Sequence, residues 1–287
     1  MAQDYDNMAK SLLTDYATDI SQFVLNVNDV EVLENIDTEQ QIVIAQRTDS
    51  TKRIRVNNHE AILNVELQLR NSTRKPMWAR NAMYHGYLVG EHQITVYSNV
   101  IYLHPNAGRN DTGVYEYSWH GYKYTLHYKV IRLIQIEGKA VLEMQAPGLL
   151  PFTPLMKPPA GMDLEQWIQE CVDVTLAASV DQRTQADLLY GIYLFGGIVY
   201  DTELFGRLIP EEFMRESKTY QYQVEKITRE TTIKHILTLL KSRFQAEAVS
   251  ALIPSLQNIT DLQRLEKLLL AAAKVQNLDV FAQMLSE

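Results

Sequence analysis

The stretch "ILNVELQLR" (residues 62–70) alternates apolar and polar positions, so Leu63, Val65, Leu67 and Leu69 share one face of a strand while Asn64, Glu66 and Gln68 share the other. Such a pattern predicts an antiparallel strand with one wet face. Upstream, Met8, Leu12, Leu13, Tyr16, Ile20 and Phe23 recur at helical spacing and predict an amphipathic helix over about 5–25, broken near Thr18. "QIVIAQ" (41–46) and "KRIRV" (52–56) read as two short strands, with "NNHE" as a polar turn before the third. Pro76 opens a second helix whose stripe of Trp78, Met83, Tyr84, Tyr87 and Leu88 stops at Gly90, and "ITVYSNVIYL" (94–103) reads as a further strand.

Residues 114–137 are rich in tyrosine and β-branched residues around a possible "HG" turn at 120–121, which predicts strands extending the same sheet. Five of the nine prolines fall in 146–163, marking a connector, and beyond it the apolar stripes are helical. Gly191, Gly196 and Gly197 interrupt the stripes of 164–208, 222–244 reads as one long amphipathic helix, and Thr260 and Gln263 are spaced as a capping box. The pattern therefore predicts an α/β core over 1–150 and a helical C-terminal region over 151–287.

With 287 residues and 46% hydrophobic composition the chain can bury a substantial core. One cysteine, Cys171, rules out an internal disulfide framework, and the start of the chain has no basic segment followed by an apolar one. The longest apolar runs, such as "LLLAAA" (268–273), are far too short to span a bilayer. The expectation is a cytoplasmic protein with no membrane partner. None of the seven histidines lies in a zinc-binding spacing, and there is no glycine-rich phosphate loop.

Net charge is −8, which argues against binding nucleic acid by bulk electrostatics, but the charge is unevenly spread. Residues 1–50 carry ten acids against Lys10 and Arg47, whereas 51–80 carry seven lysines and arginines against Glu60 and Glu66. The opening strand thus lies inside a basic stretch, which is either a solvated face or an anion-binding one.

The order helix, three strands, helix, strand, with Asp49 ahead of one strand and a Glu-x-polar pair on the next, is the layout of a PD-(D/E)XK nuclease core, related to restriction endonucleases. Particular strings, among them "DNMAKSLL" (6–13), "RTD" (47–49), "ILNVELQ" (62–68), "RNAMY" (80–84), "VIYLHP" (100–105), "PGLLPF" (147–152) and "FMRESKTYQ" (213–221), resemble the Rpn family of recombination-promoting nucleases, the YhgA-like putative transposases, and especially its cyanobacterial-type members. The resemblance runs over nearly the whole chain. It departs after the acid, where this chain reads "STKRIRV" in place of an apolar strand and sets Asp49 and Glu66 seventeen positions apart.

The resemblance implies metal-dependent endonucleolytic cleavage of DNA, linked to recombination or mobile elements. Asp49, Glu66 and Gln68 would be the catalytic set. Asp49, Glu66 and the Leu67 carbonyl would hold Mg²⁺ or Mn²⁺, an economical set that suits a hard cation retaining several waters. Gln68, where many relatives carry lysine, can orient a nucleophile but cannot act as a cation. Arg80 and Lys10 are candidate phosphate contacts; Arg80 could equally pair with an acid of the first helix, and Lys10 with Asp6 one turn away. DNA and a second copy of the chain, as a homodimer, are the expected partners. The alternative is a catalytically inactive nuclease fold that dimerises or binds other proteins through its helical tail.

Overall fold

A computed structural model of the protein describes residues 2–36, 49–72, 75–119 and 122–286. Two helices open the chain, α1 (Ala2–Asp15) and α2 (Ala17–Leu25), separated at Tyr16. Then come β1 (Val30–Asn35), β2 (Ser50–Val56), β3 (His59–Gln68), α3 (Met77–His92) and β4 (Thr95–Tyr102), followed by β5 (Val114–Trp119), β6 (Tyr122–His127) and β7 (Lys129–Arg132). The predicted order of helix, strands, helix and strand is present. Its first strand, however, is "VEVLEN" at 30–35; the stretch 41–46 lies outside the described residues.

Five strands form one mixed sheet in the order β1-β2-β3-β4-β7. β1, β2 and β3 pair antiparallel, and β3, β4 and β7 run parallel. The crossover through α3 covers one face: Leu88 packs with Ile62 and Val96 near one end of the strands, and Met77 with Val100 and Tyr102 near the other. α3 therefore runs antiparallel to β3 and β4, with its first turn above their C-terminal ends. α1 and α2 lie against β2 and β1. With strands on both sides and helices packed on the sheet, β3 is buried from Ala61 to Glu66 on both faces, which corrects the expected wet face.

The region 114–137 extends the sheet only through β7. β5 and β6 form a separate two-stranded sheet. The proline-bearing segment is also not a linker, because Pro147–Leu155 folds as a 3₁₀ stretch with Gly148 through Leu155 all buried. A short helix, α4 (Gly138–Glu143), precedes it; α5 (Leu164–Leu176) and α6 (Gln182–Gly196) pack against it. The glycine inside α6 at 191 has a steric purpose, since a Cβ there would stand 2.7 Å from Met8 Cε and 2.8 Å from Pro151 Cβ. Two short helices, α7 (Thr202–Leu208) and α8 (Glu211–Met214), follow.

The chain divides into two compact units after Ser217, not near residue 150 where the composition changes. The second unit holds α9 (Lys218–Lys241), α10 (Ala246–Ser250), α11 (Ile253–Gln257), α12 (Leu262–Lys274) and α13 (Leu278–Ser286). It has its own core of Ile236, Leu240, Leu256, Leu265 and Phe281, each fully buried. α12 is capped by Asp261, which accepts from Gln263 N at 2.9 Å, rather than by Thr260. Among the described residues no helix is long and apolar enough to cross a membrane.

The β2–β3 hairpin closes on Asn57 and Asn58, with φ of 47° and 68°, the positive values that a two-residue type I′ turn requires. Asparagine tolerates this region and a β-branched residue does not. Asn58→Val is expected to lower stability by about 1–2 kcal/mol and Asn58→Gly to leave it equal or higher, read as denaturation midpoints. Equal midpoints for both variants would contradict that turn assignment.

Candidate functional site

The hairpin fixes which side chains meet. Its ladder pairs Val56 with His59 and runs to Ser50 opposite Val65. One step further along that register Asp49 stands across from Glu66, on the same side of the sheet. The sixteen residues between the two acids are what seven paired residues per strand and a two-residue turn demand. Leu67 N donates to Asp49 Oδ2 at 2.7 Å, which holds the carboxylate at the end of the strand pair. Leu67, expected to serve through its carbonyl, is thus seen serving Asp49 through its N–H.

Glu66 is 0% exposed. Its Oε2 accepts from Arg80 Nη2 at 2.6 Å, and Gln68 Nε2 lies 3.5 Å from the same oxygen, at the outer limit of a hydrogen bond. Among the described residues Glu66 Oε1 and Arg80 Nε, both buried, have no hydrogen-bond partner. Arg80 comes from the first turn of α3 and is bonded in turn to Tyr84, one turn on and itself buried. Arg80 therefore pairs with Glu66, not with an acid of the first helix. Lys10 is half-buried on α1 and close enough for its charge to act on Glu66.

Burial pushes the Glu66 carboxyl up from its ordinary range, and the Asp49 charge pushes it further, to about 8; Arg80, a backbone hydrogen bond from Asp49 and Lys10 pull the other way. Burial and the Asp49 charge thus favour the neutral form of this carboxyl, and Arg80 and Lys10 the ionised one. Burial also opposes the charge on Arg80, but Glu66, Tyr84 and Asp49 together outweigh it and raise Arg80 above its usual value. Two acids and one guanidinium share a water-poor corner at the C-terminal ends of β3 and β4. Any further cation reaching Oε1 and Asp49 would compete with the charges of Arg80 and Lys10.

Below this corner the same face of the sheet remains polar. Thr51 Oγ1 donates to Asn64 Oδ1 at 3.2 Å, and His85 Nδ1 lies 3.0 Å from Ser98 Oγ. His85 is thus an interior partner of Ser98, with its pKa lowered by burial. The sequence pattern puts Tyr84 on the helical stripe and Asn64 on the polar strand face, without assigning either a role at the site. Tyr84 could have been found from its i+4 spacing to Arg80, whereas nothing in the sequence marks Asn64 as buried.

Within the basic stretch, the cations of β2 are engaged by the neighbouring strand. Arg53 Nε pairs with Glu34 at 2.7 Å and Arg55 Nη1 with Glu31 at 2.6 Å, both acids belonging to the acidic N-terminal part. Lys52 is buried and donates to Asn35 Oδ1. Among the described residues no three His, Cys, Asp or Glu side chains converge as a ready-made metal cluster. No protein-family model, curated protein or solved structure matches the chain.

A carboxyl raised by burial leaves folding unaffected below its unfolded value near 4.5, where it is protonated in both states, and opposes folding increasingly as pH rises to about 8. Glu66→Gln removes that cost while keeping the shape. Its stability relative to the parent is expected to improve between about pH 5 and about pH 9, by an amount on the order of a few kcal/mol, in denaturant titrations. A stability difference that does not change with pH would refute this electrostatic reading.

Proposed function

We propose that the protein is a magnesium-dependent DNA endonuclease with a PD-(D/E)XK-type core, of the kind its Rpn-like strings imply, acting in recombination or on mobile elements as a homodimer. The observation that carries this reading is Glu66: a fully buried carboxylate with one oxygen unpartnered, opposite a second acid, at the end of the central strands. A carboxylate kept dry in this way is costly to the fold and clusters at functional sites.

The residues fit a hard divalent cation. Asp49 and Glu66 would hold it with carboxylate oxygens, a donor number that suits Mg²⁺ with waters filling the remaining positions. When bound, such an ion offsets charge on the scissile phosphate and lowers the pKa of a coordinated water. The chain's own groups then have separable tasks. Arg80 keeps Glu66 in one rotamer and, with five N–H donors, can reach a phosphate oxygen with those Glu66 does not use. Tyr84 fixes the Arg80 side chain from behind. Gln68, on the same face as Glu66, can orient a water through its amide but carries no charge to stabilise the leaving oxygen.

The second reading, a nuclease fold without activity that binds partners through its helices, is favoured by one observation: Arg80 already satisfies Glu66 Oε2 at 2.6 Å. Incubation of the purified chain with plasmid DNA in Mg²⁺, in Mn²⁺ and in chelator separates the two. Cleavage is expected with either metal and not with chelator. Glu66→Gln is expected to abolish it, and Gln68→Ala to slow it by about 10- to 100-fold, the loss of one orienting hydrogen bond. Glu66→Ala is the less informative change, since it would also strip Arg80 of its buried partner. Absence of cleavage under all conditions, or cleavage by Glu66→Gln at the parental rate, would discard the nuclease reading.

A further inference from the structure

The β5–β6 hairpin stands apart from the main sheet and is anchored by its base, where Leu126 and the following Tyr128 pack with Met77, Val100 and Tyr102. The hairpin register sets Tyr115 opposite Leu126 and Tyr117 opposite Tyr124, so these four side chains occupy one face. Trp78, from the first turn of α3 and two residues before Arg80, stacks on Tyr115 with ring centres 3.8 Å apart and planes 7° apart. Tyr117 stacks on Tyr124 at 5.7 Å and 16°, and Tyr115 lies 5.9 Å and 6.1 Å from those two rings. The four rings form one continuous surface. It is buried at Leu126 (3% exposed) and opens to solvent at Trp78 (36%) and Tyr117 (48%).

Cross-strand aromatic pairs strengthen a two-stranded hairpin, and this accounts for Tyr117 against Tyr124. It does not account for Trp78, contributed by another element, nor for ring surface left open to water at Trp78 and Tyr117. Charge points to what would cover it. Residues 67–110 contain five lysines and arginines and a single acid, Glu91, in a chain whose net charge is −8. Of these cations Arg80 is engaged with Glu66, while Arg70 and Arg109 are exposed and Lys75 half-exposed, and none of these three has an ion-pair partner among the described residues. The loops that bear them are tied together, with Gly108 N donating to Asn71 Oδ1 at 2.8 Å and Arg132 Nε donating to Gly108 O at 2.8 Å. Asp111 closes the second loop by accepting from Tyr102 at 2.6 Å and Tyr128 at 2.5 Å.

Open aromatic faces on α3 and β5, with cations in the loops that lead into both elements, match a polyanion that also carries flat rings. In duplex DNA each base is covered above and below by its neighbours, so only an unpaired base can lie on Tyr117 or Trp78. We propose that this surface holds an unpaired stretch of DNA strand, its bases stacked on the hairpin and its phosphates on Arg70, Lys75 and Arg109, leading the backbone toward Glu66 and Asp49. The proposal rests on the nuclease reading for its choice of DNA, and it adds the substrate class: unpaired or frayed strands are preferred over intact duplex.

The test is binding of the full chain, in chelator so that nothing is cut, to fluorescein-labelled oligothymidylate, to an abasic strand of the same length and to a blunt duplex, followed by anisotropy. The parent is expected to bind oligothymidylate at least about 10-fold more tightly than either competitor. Tyr117→Ala is expected to remove about 10-fold or more of that affinity without changing abasic binding, while Tyr117→Phe retains it, which separates stacking from loss of fold. Equal binding of oligothymidylate and the abasic strand by the parent, or tighter binding of the duplex, would overturn the proposal without using any variant. Unchanged binding by Tyr117→Ala would overturn it as well. Failure of the cleavage reading looks different: oligothymidylate would still bind preferentially, yet no metal would produce cutting.

Discussion

The arrangement at the C-terminal ends of the central strands depends on one contact, the 2.6 Å pairing of Arg80 with the fully buried Glu66. A carboxylate cannot be taken out of water at this depth without a compensating charge, and Arg80 is that charge. The pairing ties the first turn of α3 to the ends of β3 and β4, where Met77 also packs with Val100 and Tyr102. It leaves the balance incomplete. Asp49 adds a second negative charge close by, Glu66 Oε1 lacks a hydrogen-bond partner among the described residues, and the Glu66 carboxyl is held far above its ordinary range. An ionisable carboxyl with an open oxygen beside a second acid is the feature on which the proposed cation site rests.

Geometry upstream makes the contact useful. The turn at Asn57 and Asn58 sets the β2–β3 register, and that register places Asp49 across from Glu66. A slip of one residue would send Asp49 and Thr51 to the opposite face of the sheet. The acidic N-terminal part has a structural use in the same place, since Glu31 and Glu34 on β1 neutralise Arg55 and Arg53 on β2. With these cations spent on the sheet, the positive charge left near the site belongs to the loops after β3 and β4.

Much of this was legible in the sequence, and the failures have physical causes. Alternation in "ILNVELQLR" correctly put Glu66 and Gln68 on one face, but alternation reports faces and not what covers them; only the crossover of α3 makes the polar face an interior one. The strand at 30–35 was passed over because its exposed positions are acids, which are poor strand formers in isolation and become suitable opposite Arg53 and Arg55. Prolines in 147–155 suggested a connector, yet the residues between them are apolar, and a 3₁₀ path lets the core absorb them. Arg80 was recognised as a candidate, whereas its partner lies fourteen residues away on another element, beyond the reach of local spacing rules. The helical unit from Lys218 onward was legible as helices and not as a unit with its own core.

The most direct measurement is Mn²⁺ binding followed by electron paramagnetic resonance, which needs neither DNA nor turnover. The parent should show a site that tightens as pH rises from about 6 to about 8, because the ion must displace the proton that burial holds on Glu66. Asp49→Asn and Glu66→Gln should each weaken it by about 10-fold or more, since each removes a charged ligand. Mn²⁺ binding that both substitutions leave unchanged, or no binding by the parent at any pH, would contradict the assignment of this corner as a cation site.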